Sequence, residues 1–162
     1  MSFEIRPLGA SDRGWVSALA AERWGGEAVV SRGRVWMLTD LPGFAAIESE
    51  RVIGLLTYRV EAGQLEVVSI DSLIEGRGVG SALLEAAAGA ARRHGCRRVW
   101  LITTNDNLRA LRFYQRRGMR LAALHRDSLA RARELKPSIP DTGYHGIPLR
   151  DELELELLLP AE

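Results

Sequence analysis

The chain has 162 residues, of which 46% are hydrophobic and 27% charged, a globular make-up that sets aside disordered and collagen-like classes. Lysine and arginine total 22 against 21 aspartates and glutamates, and a net charge of +1 argues against broad, charge-driven binding to nucleic acid or acidic membranes. The single cysteine, Cys96, rules out an intrachain disulfide and suits a reducing compartment. No apolar run approaches the roughly 20 residues of a membrane helix. The opening MSFEIRPLGASDRGW lacks the basic end and apolar core of a signal peptide. The expectation is one cytoplasmic domain over residues 1–162.

FEIRPL, residues 3–8, alternates as a strand, and Ser11-Asp12 then offers an N-cap for a helix carrying Val16, Leu19 and Ala20 that stops at Gly25-Gly26. Residues 43–60 read as a hairpin, GFAAIE and VIGLLTYRV about a polar turn at Ser49-Glu50-Arg51. LEVVSI, 65–70, is a β-branched strand apolar on both faces. Over 77–94, Val79, Ala82, Leu83, Ala86, Ala87, Ala90 and Ala91 fall on one helical face, and Gly95 ends the helix. RRVWLIT (97–103) is the next strand, NLRALRFYQRR (107–117) a helix stopped at Gly118, and MRLAAL (119–124) a strand. SLARAREL (128–135) is a short helix halted before Pro137, and DELELELLL (151–159) alternates as a final strand. Hairpins followed by β-α-β units predict an α/β protein with a mixed sheet and helices on both faces.

Gly76, Gly78 and Gly80 stand between the strand at 65–70 and the alanine-rich helix. A helix start presents unpaired backbone N–H groups and partial positive charge, and glycine lets a phosphate reach them. The alternative is a tight strand-to-helix turn with no ligand. A Walker loop needs Gly-Lys-Ser/Thr, which is missing, and a dinucleotide fingerprint begun at Gly78 would need glycine where Leu83 stands. On the next helix Asn107 and Tyr114 share a face about 10 Å apart along the axis. They suit an N-cap and a half-buried core aromatic, or an amide and a phenol meeting one elongated ligand.

Together EGRGVGSALL and NLRALRFYQRRGM resemble the GNAT superfamily of acyl-CoA N-acyltransferases: the first matches its Q/R-x-x-G-x-G/A coenzyme A loop, the second its N-x-x-A-x-x-x-Y-x-x-x-G-F segment. Glu75 stands where the family has Gln or Arg, and Met119 replaces the usual Phe. The resemblance implies a mostly antiparallel central sheet of about seven strands, splayed beside the 65–70 strand to admit the coenzyme arm. It implies acetyl-CoA as cosubstrate and no metal, and a primary amine of a small molecule or peptide as acceptor. Backbone groups from Gly76, Arg77, Gly78, Val79, Gly80 and Ser81 would hold the pyrophosphate. Val68, Ile70 and Asn107 would bond the arm, and Tyr114 would protonate the leaving thiolate. Glu66 is the expected base, on the face of Val68 and Ile70 and roughly 13 Å from Ile70, with Asp71 second because it should point the other way.

His94, His125 and His145 have no metal-ligand spacing, and the last two bracket a Pro/Gly loop that could line an acceptor pocket. The arginines at 92, 93, 97, 98, 112, 116 and 117 read as solvated helix faces, and the LELEL run as an alternating strand. The acceptor-binding segments would be the first helix region and residues 125–150, where no acidic cluster is evident. The resemblance admits a homodimer, and also a non-catalytic acyl-CoA-binding sensor.

Overall fold

The computed structural model describes residues 2–161. The strands are β1 (Glu4–Pro7), β2 (Ala28–Ser31), β3 (Arg34–Met37), β4 (Gly43–Glu48), β5 (Arg51–Glu61), β6 (Gln64–Ser72), β7 (Arg98–Thr104), β8 (Arg120–His125) and β9 (Glu152–Leu158). The helices are α1 (Arg13–Trp24), α2 (Val79–Arg93), α3 (Leu108–Arg116) and α4 (Ser128–Leu135). Seven strands form one sheet in the order β1-β4-β5-β6-β7-β9-β8, antiparallel at every junction except β6–β7. No helix among the described residues is long and apolar enough to cross a membrane.

The expected elements are all present, and one pair was not anticipated: β2 and β3 form a separate hairpin. Its signal was the turn Arg32-Gly33, where both residues adopt positive φ (50° and 74°), the conformation that two-residue hairpins require.

Each face of the sheet carries its own apolar cluster. On one side α2 lays Val79, Leu83, Ala87, Ala90 and Ala91 against Leu56, Leu65 and Val67, and Tyr114 of α3 joins them. The alanines keep this helix close to the sheet, and Gly80 keeps it close to α3, since a Cβ there would stand 2.8 Å from the Phe113 ring. On the other side α1 packs Val16, Leu19 and Ala20 with Val29, Leu55 and Val68. Leu129 and Ala132 of α4 pack with Leu149 nearby.

Two irregularities open the sheet at its centre. Parallel pairing of β6 with β7 runs only from Gln64–Arg98 to Val67–Leu101, after which β7 continues with β9 alone and β6 with β5 alone. At that point β6 bulges: Val67 opposes Tyr58 and Ser69 opposes Thr57, leaving Val68 as the extra residue. A bulge bends its strand and shifts the alternation of side chains by one place.

Candidate active site

The splay is the floor of a cleft of about 790 Å³. Val68–Asp71 form one wall and Leu101–Thr104 the other, with Asn107, Ala110 and Tyr114 from α3. Arg23–Gly25 and Val29–Ser31 cover it from the α1 side, with parts of α4 and the segment up to Leu149. The first helix region and residues 125–150, expected to shape an acceptor pocket, thus both contribute lining. His125 and His145, however, are absent from it: His125 pairs with Glu154 at 3.1 Å, and His145 is exposed in a turn.

A short turn after β6, which walls the cleft, leads into the start of α2. Gly76 and Gly78 hold φ of 73° and 77°, left-handed values that cost a side-chain-bearing residue roughly 1–2 kcal/mol. Gly78 is the N-cap and supplies no side-chain hydrogen bond to the first turn; the intrahelical ladder begins with the Ala82 N–H donating to the Gly78 carbonyl at 3.0 Å. The N–H groups of Val79, Gly80 and Ser81 therefore point outward with the positive end of the helix dipole. A Cβ on Gly76 or Gly78 would meet nothing within 4 Å, so the space above them is open. The Arg77 guanidinium is directed to Glu48, at 2.6 and 2.8 Å, so what Arg77 presents at the turn is main chain. Glu75, the departure from the family pattern, is matched by Arg109 at 2.5 Å.

Beside this turn Ser81, Phe113 and the arginines 109, 112, 116 and 117 line a shallow hollow of about 440 Å³. Arg117 donates to Ser81 Oγ at 2.5 Å and stacks on the Phe113 ring at 3.7 Å. Arg112, Arg116 and Arg117 are exposed, as expected of solvated helix faces, and they also converge on this hollow. The cause is the α2–α3 contact across Gly80, which brings one face of α3 alongside the α2 terminus.

Asn107 is the N-cap of α3, its Oδ1 accepting from the Ala110 N–H at 3.3 Å, and it also lines the cleft. Tyr114 is buried, and burial, with a further push from the Asp71 charge, raises its phenol well above the ordinary tyrosine range. Tyr114 lies on the α2 side of the sheet and Asp71 on the α1 side. Their mutual influence passes through the splay.

The expectation that Glu66 shares a face with Ile70 while Asp71 points away is corrected by the bulge. Glu66, Val68, Ser69 and Asp71 all face the α1 side: Glu66 meets Ser31, Ser69 meets Thr57, and Asp71 accepts from Trp24 Nε1 at 2.9 Å. Ile70 packs with the α2 cluster instead. Glu66 uses both oxygens, accepting from Ser31 Oγ at 2.5 Å and from Arg59 Nε at 2.6 Å. Burial pushes its carboxyl upward against the pull of those two partners. Asp71 is likewise raised by burial, opposed by the Trp24 hydrogen bond, and its Oδ1 has no hydrogen-bond partner among the described residues.

The cleft draws its acidity from outside the first helix region and residues 125–150, which hold no acidic cluster. Glu66 and Asp71 from β6, Asp106 from the turn between β7 and α3, and Glu152 from β9 all line the same cleft, so three separate segments of the chain deliver its carboxylates. Asp106 is consumed by structure, accepting from Thr104 Oγ1 at 2.5 Å and the Tyr144 N–H at 2.8 Å. No group of three or more His, Cys, Asp or Glu side chains among the described residues could hold a metal ion.

A sheet splayed beside β6, with a glycine-rich helix start following that strand, is the architecture the resemblance implied, and the bulge at Val68 is an addition to it. Residues 15–119 match the model of the acetyltransferase (GNAT) family, and the chain belongs to that family. It is 41% identical over 134 residues to the uncharacterized protein YdhI of Bacillus subtilis (strain 168), covering 82% of this chain and 84% of that one. It is 41% identical over 141 residues to the uncharacterized protein YxbD of the same organism, covering 86% and 89%. Among solved structures, an IAA acetyltransferase from Bacillus cereus ATCC 14579 superposes with a TM-score of 0.75 at 21% identity, over 98% of this chain and 100% of that one. A GNAT family acetyltransferase from Elizabethkingia anophelis with acetyl-CoA bound gives a TM-score of 0.70 at 19% identity, over 97% and 98%.

Proposed function

We propose that the protein is a cytoplasmic N-acetyltransferase that moves an acetyl group from acetyl-CoA directly to a primary amine. The observation that carries this reading is the cleft itself, which passes through the sheet between Tyr114 on one face and Asp71 on the other. Acetyl-CoA supplies the activated thioester. The outward N–H groups of Val79, Gly80 and Ser81, with the open main chain at Gly76 to Gly78, bind its pyrophosphate, and the arginines beside Ser81 take the remaining phosphate charge. The free edge of β6 at Val68 to Ile70, together with Asn107, bonds the arm.

The amine enters from the α1 and α4 side. It attacks as the free base, so its ammonium must first lose a proton. Asp71 is assigned that proton: one of its oxygens is unpartnered, and burial raises its affinity for hydrogen. Glu66, the carboxylate favoured by sequence spacing, has both oxygens engaged. As the new C–N bond forms and the C–S bond breaks, Tyr114 gives its proton to the departing sulfur. Its raised pKa keeps the phenol protonated and available. Backbone N–H groups at the bulge face the carbonyl oxygen and oppose the charge that gathers there.

Thermal unfolding with acetyl-CoA, free coenzyme A and NAD tests the cradle. A ligand at 100 times its Kd adds about 2.7 kcal/mol, worth several degrees in Tm. Stabilisation by both coenzyme A species and not by NAD is expected. Tyr114→Phe should keep that stabilisation while coenzyme release falls at least 100-fold. Unchanged turnover in the variant would refute the acid assignment. Stabilisation without release, with any amine, would leave a non-catalytic acyl-CoA sensor.

A further inference from the structure

Strand β9 carries three glutamates on one face, and the structure treats them differently. Glu154 pairs with Arg98 at 2.9 Å and with His125 at 3.1 Å, and Glu156 pairs with Arg98 at 2.8 Å. Glu152, at the cleft end of the same column, is only 4% exposed and has no hydrogen bond or ion pair to its carboxylate among the described residues. Of the two cations that line the cleft, Arg23 is exposed and acts on Asp71 rather than on Glu152. Lys136 also lines the cleft, but its Nζ donates to the Trp24 and Ala28 carbonyls at 2.5 and 2.7 Å. His125, the residue opposite Glu152 in the β8–β9 register, turns to Glu154.

A carboxylate this little exposed, with its unpaired oxygens open to the cleft, is stabilised by a cation that arrives there, as Arg98 stabilises its two neighbours. The missing partner is therefore expected from outside. Glu152 lies opposite Thr104 of β7, and β7 separates it from the β6 edge. Two ordinary strand spacings of about 4.8 Å already make roughly 10 Å, and β6 and β7 have parted at this level, beyond the Val67–Leu101 pair, so the gap is wider still. That is too far for Glu152 to serve the nitrogen that attacks beside β6, and suitable for a second charge further along the same molecule.

We propose that the acceptor is a dibasic amine, and that Glu152 binds its second, non-reacting cationic group. This rests on the acetyl-transfer reading above and names the class of acceptor. A monoamine would leave Glu152 buried and unpaired; a diamine or a longer polyamine neutralises it while presenting its other nitrogen to Asp71.

The test compares butylamine with 1,4-diaminobutane, 1,5-diaminopentane and spermidine at matched ionic strength, following coenzyme A release by the wild type, Glu152→Gln and Glu152→Asp. The expected result is a preference of at least tenfold in kcat/KM for one of the dibasic amines. Glu152→Gln should cut that preference at least tenfold, chiefly through KM, and Glu152→Asp should retain it in part. Glu152→Gln should melt no lower than the wild type, because the carboxylate holds nothing in place. Release with equal efficiency from mono- and dibasic amines, or a preference that survives Glu152→Gln, overturns the proposal and leaves the acetyl-transfer reading standing. Thermal shifts with spermidine cover the case of no release. Stabilisation of the wild type and not of Glu152→Gln would keep the cation site and remove the transfer reading. Equal shifts in both would remove the site.

Discussion

Gly143 owes its identity to a carboxylate rather than to backbone conformation. Its φ of −106° is open to any residue, yet a Cβ there would stand 2.0 Å from Asp106 Oδ2 and 2.6 Å from its Cγ. Gly143→Ala must therefore displace the carboxylate by more than an ångström or lift the segment off it. Asp106 is 3% exposed and accepts from Thr104 Oγ1 and from the Tyr144 N–H, two bonds that tie the segment covering the cleft to the end of β7. Hydrogen bonds to a charged group contribute about 1.5–3 kcal/mol each. Losing both, with partial relaxation, predicts a destabilisation of about 2–4 kcal/mol, or roughly 4–16 °C in Tm for a domain of this size. Thermal unfolding of Gly143→Ala, Asp106→Ala and the double variant checks it. If the clash acts through Asp106, the glycine substitution costs much less once the carboxylate is gone, and the cycle is strongly non-additive. A Gly143→Ala protein melting within about 1 °C of the wild type would refute the reasoning, as would strict additivity.

Asp71→Asn should lower kcat/KM by about 10²–10⁴-fold, whereas Glu66→Gln should lower it less than tenfold. Because burial raises Asp71, the acid limb of the wild-type pH–rate profile should lie above the ordinary aspartate range and vanish in Asp71→Asn. A larger loss in Glu66→Gln would hand the base role back to Glu66. Asp12 supplies a pH test of stability, since the Arg6 hydrogen bonds, with the Gly9 N–H and Trp15 Nε1, hold its carboxyl well below the usual value of 3.8. A depressed folded value means that its contribution is complete above the unfolded pKa and is lost as pH falls through the folded one. Asp12→Asn should therefore melt below the wild type near neutrality, with the gap narrowing from about pH 4 downward. A gap that stays constant to about pH 2 would sink the assignment.

The elements nearest the site were the most legible, for a physical reason. A helix such as α2 must bury one face along its whole length, so its alanines repeat at helical spacing. Gly76 and Gly78 announce a turn whose backbone a Cβ would strain. The β2–β3 hairpin escaped notice because its strands have four residues each, too few for alternation to stand out, although Arg32-Gly33 marked the turn. The converging arginines were hidden differently. Their spacing on α3 describes an exposed face, and only the packing of Gly80 on Phe113 shows that the face lies beside the start of α2.

The residues that decide the chemistry were the hardest to place, because one inserted residue governs them. Period-two counting along β6 puts Asp71 opposite Glu66, and Val68 as a bulge reverses every side chain after it. The same bulge coincides with the loss of pairing to β7, so the strand that turns Asp71 toward the acceptor side also frees the edge facing the coenzyme arm. Deleting Val68 would close the bulge yet leave Ser69 opposite Thr57, Ile70 opposite Leu56 and Asp71 opposite Leu55, so Asp71 would keep its α1-side orientation while the irregularity at the opening would be gone. Nothing in LEVVSID marks Val68 as the extra residue, since each of its neighbours is also compatible with a regular strand. Glu152 is the complementary case: its pattern, LELEL, was plain, but the difference between a paired and an unpaired glutamate in that column depends on Arg98, some fifty residues away in sequence.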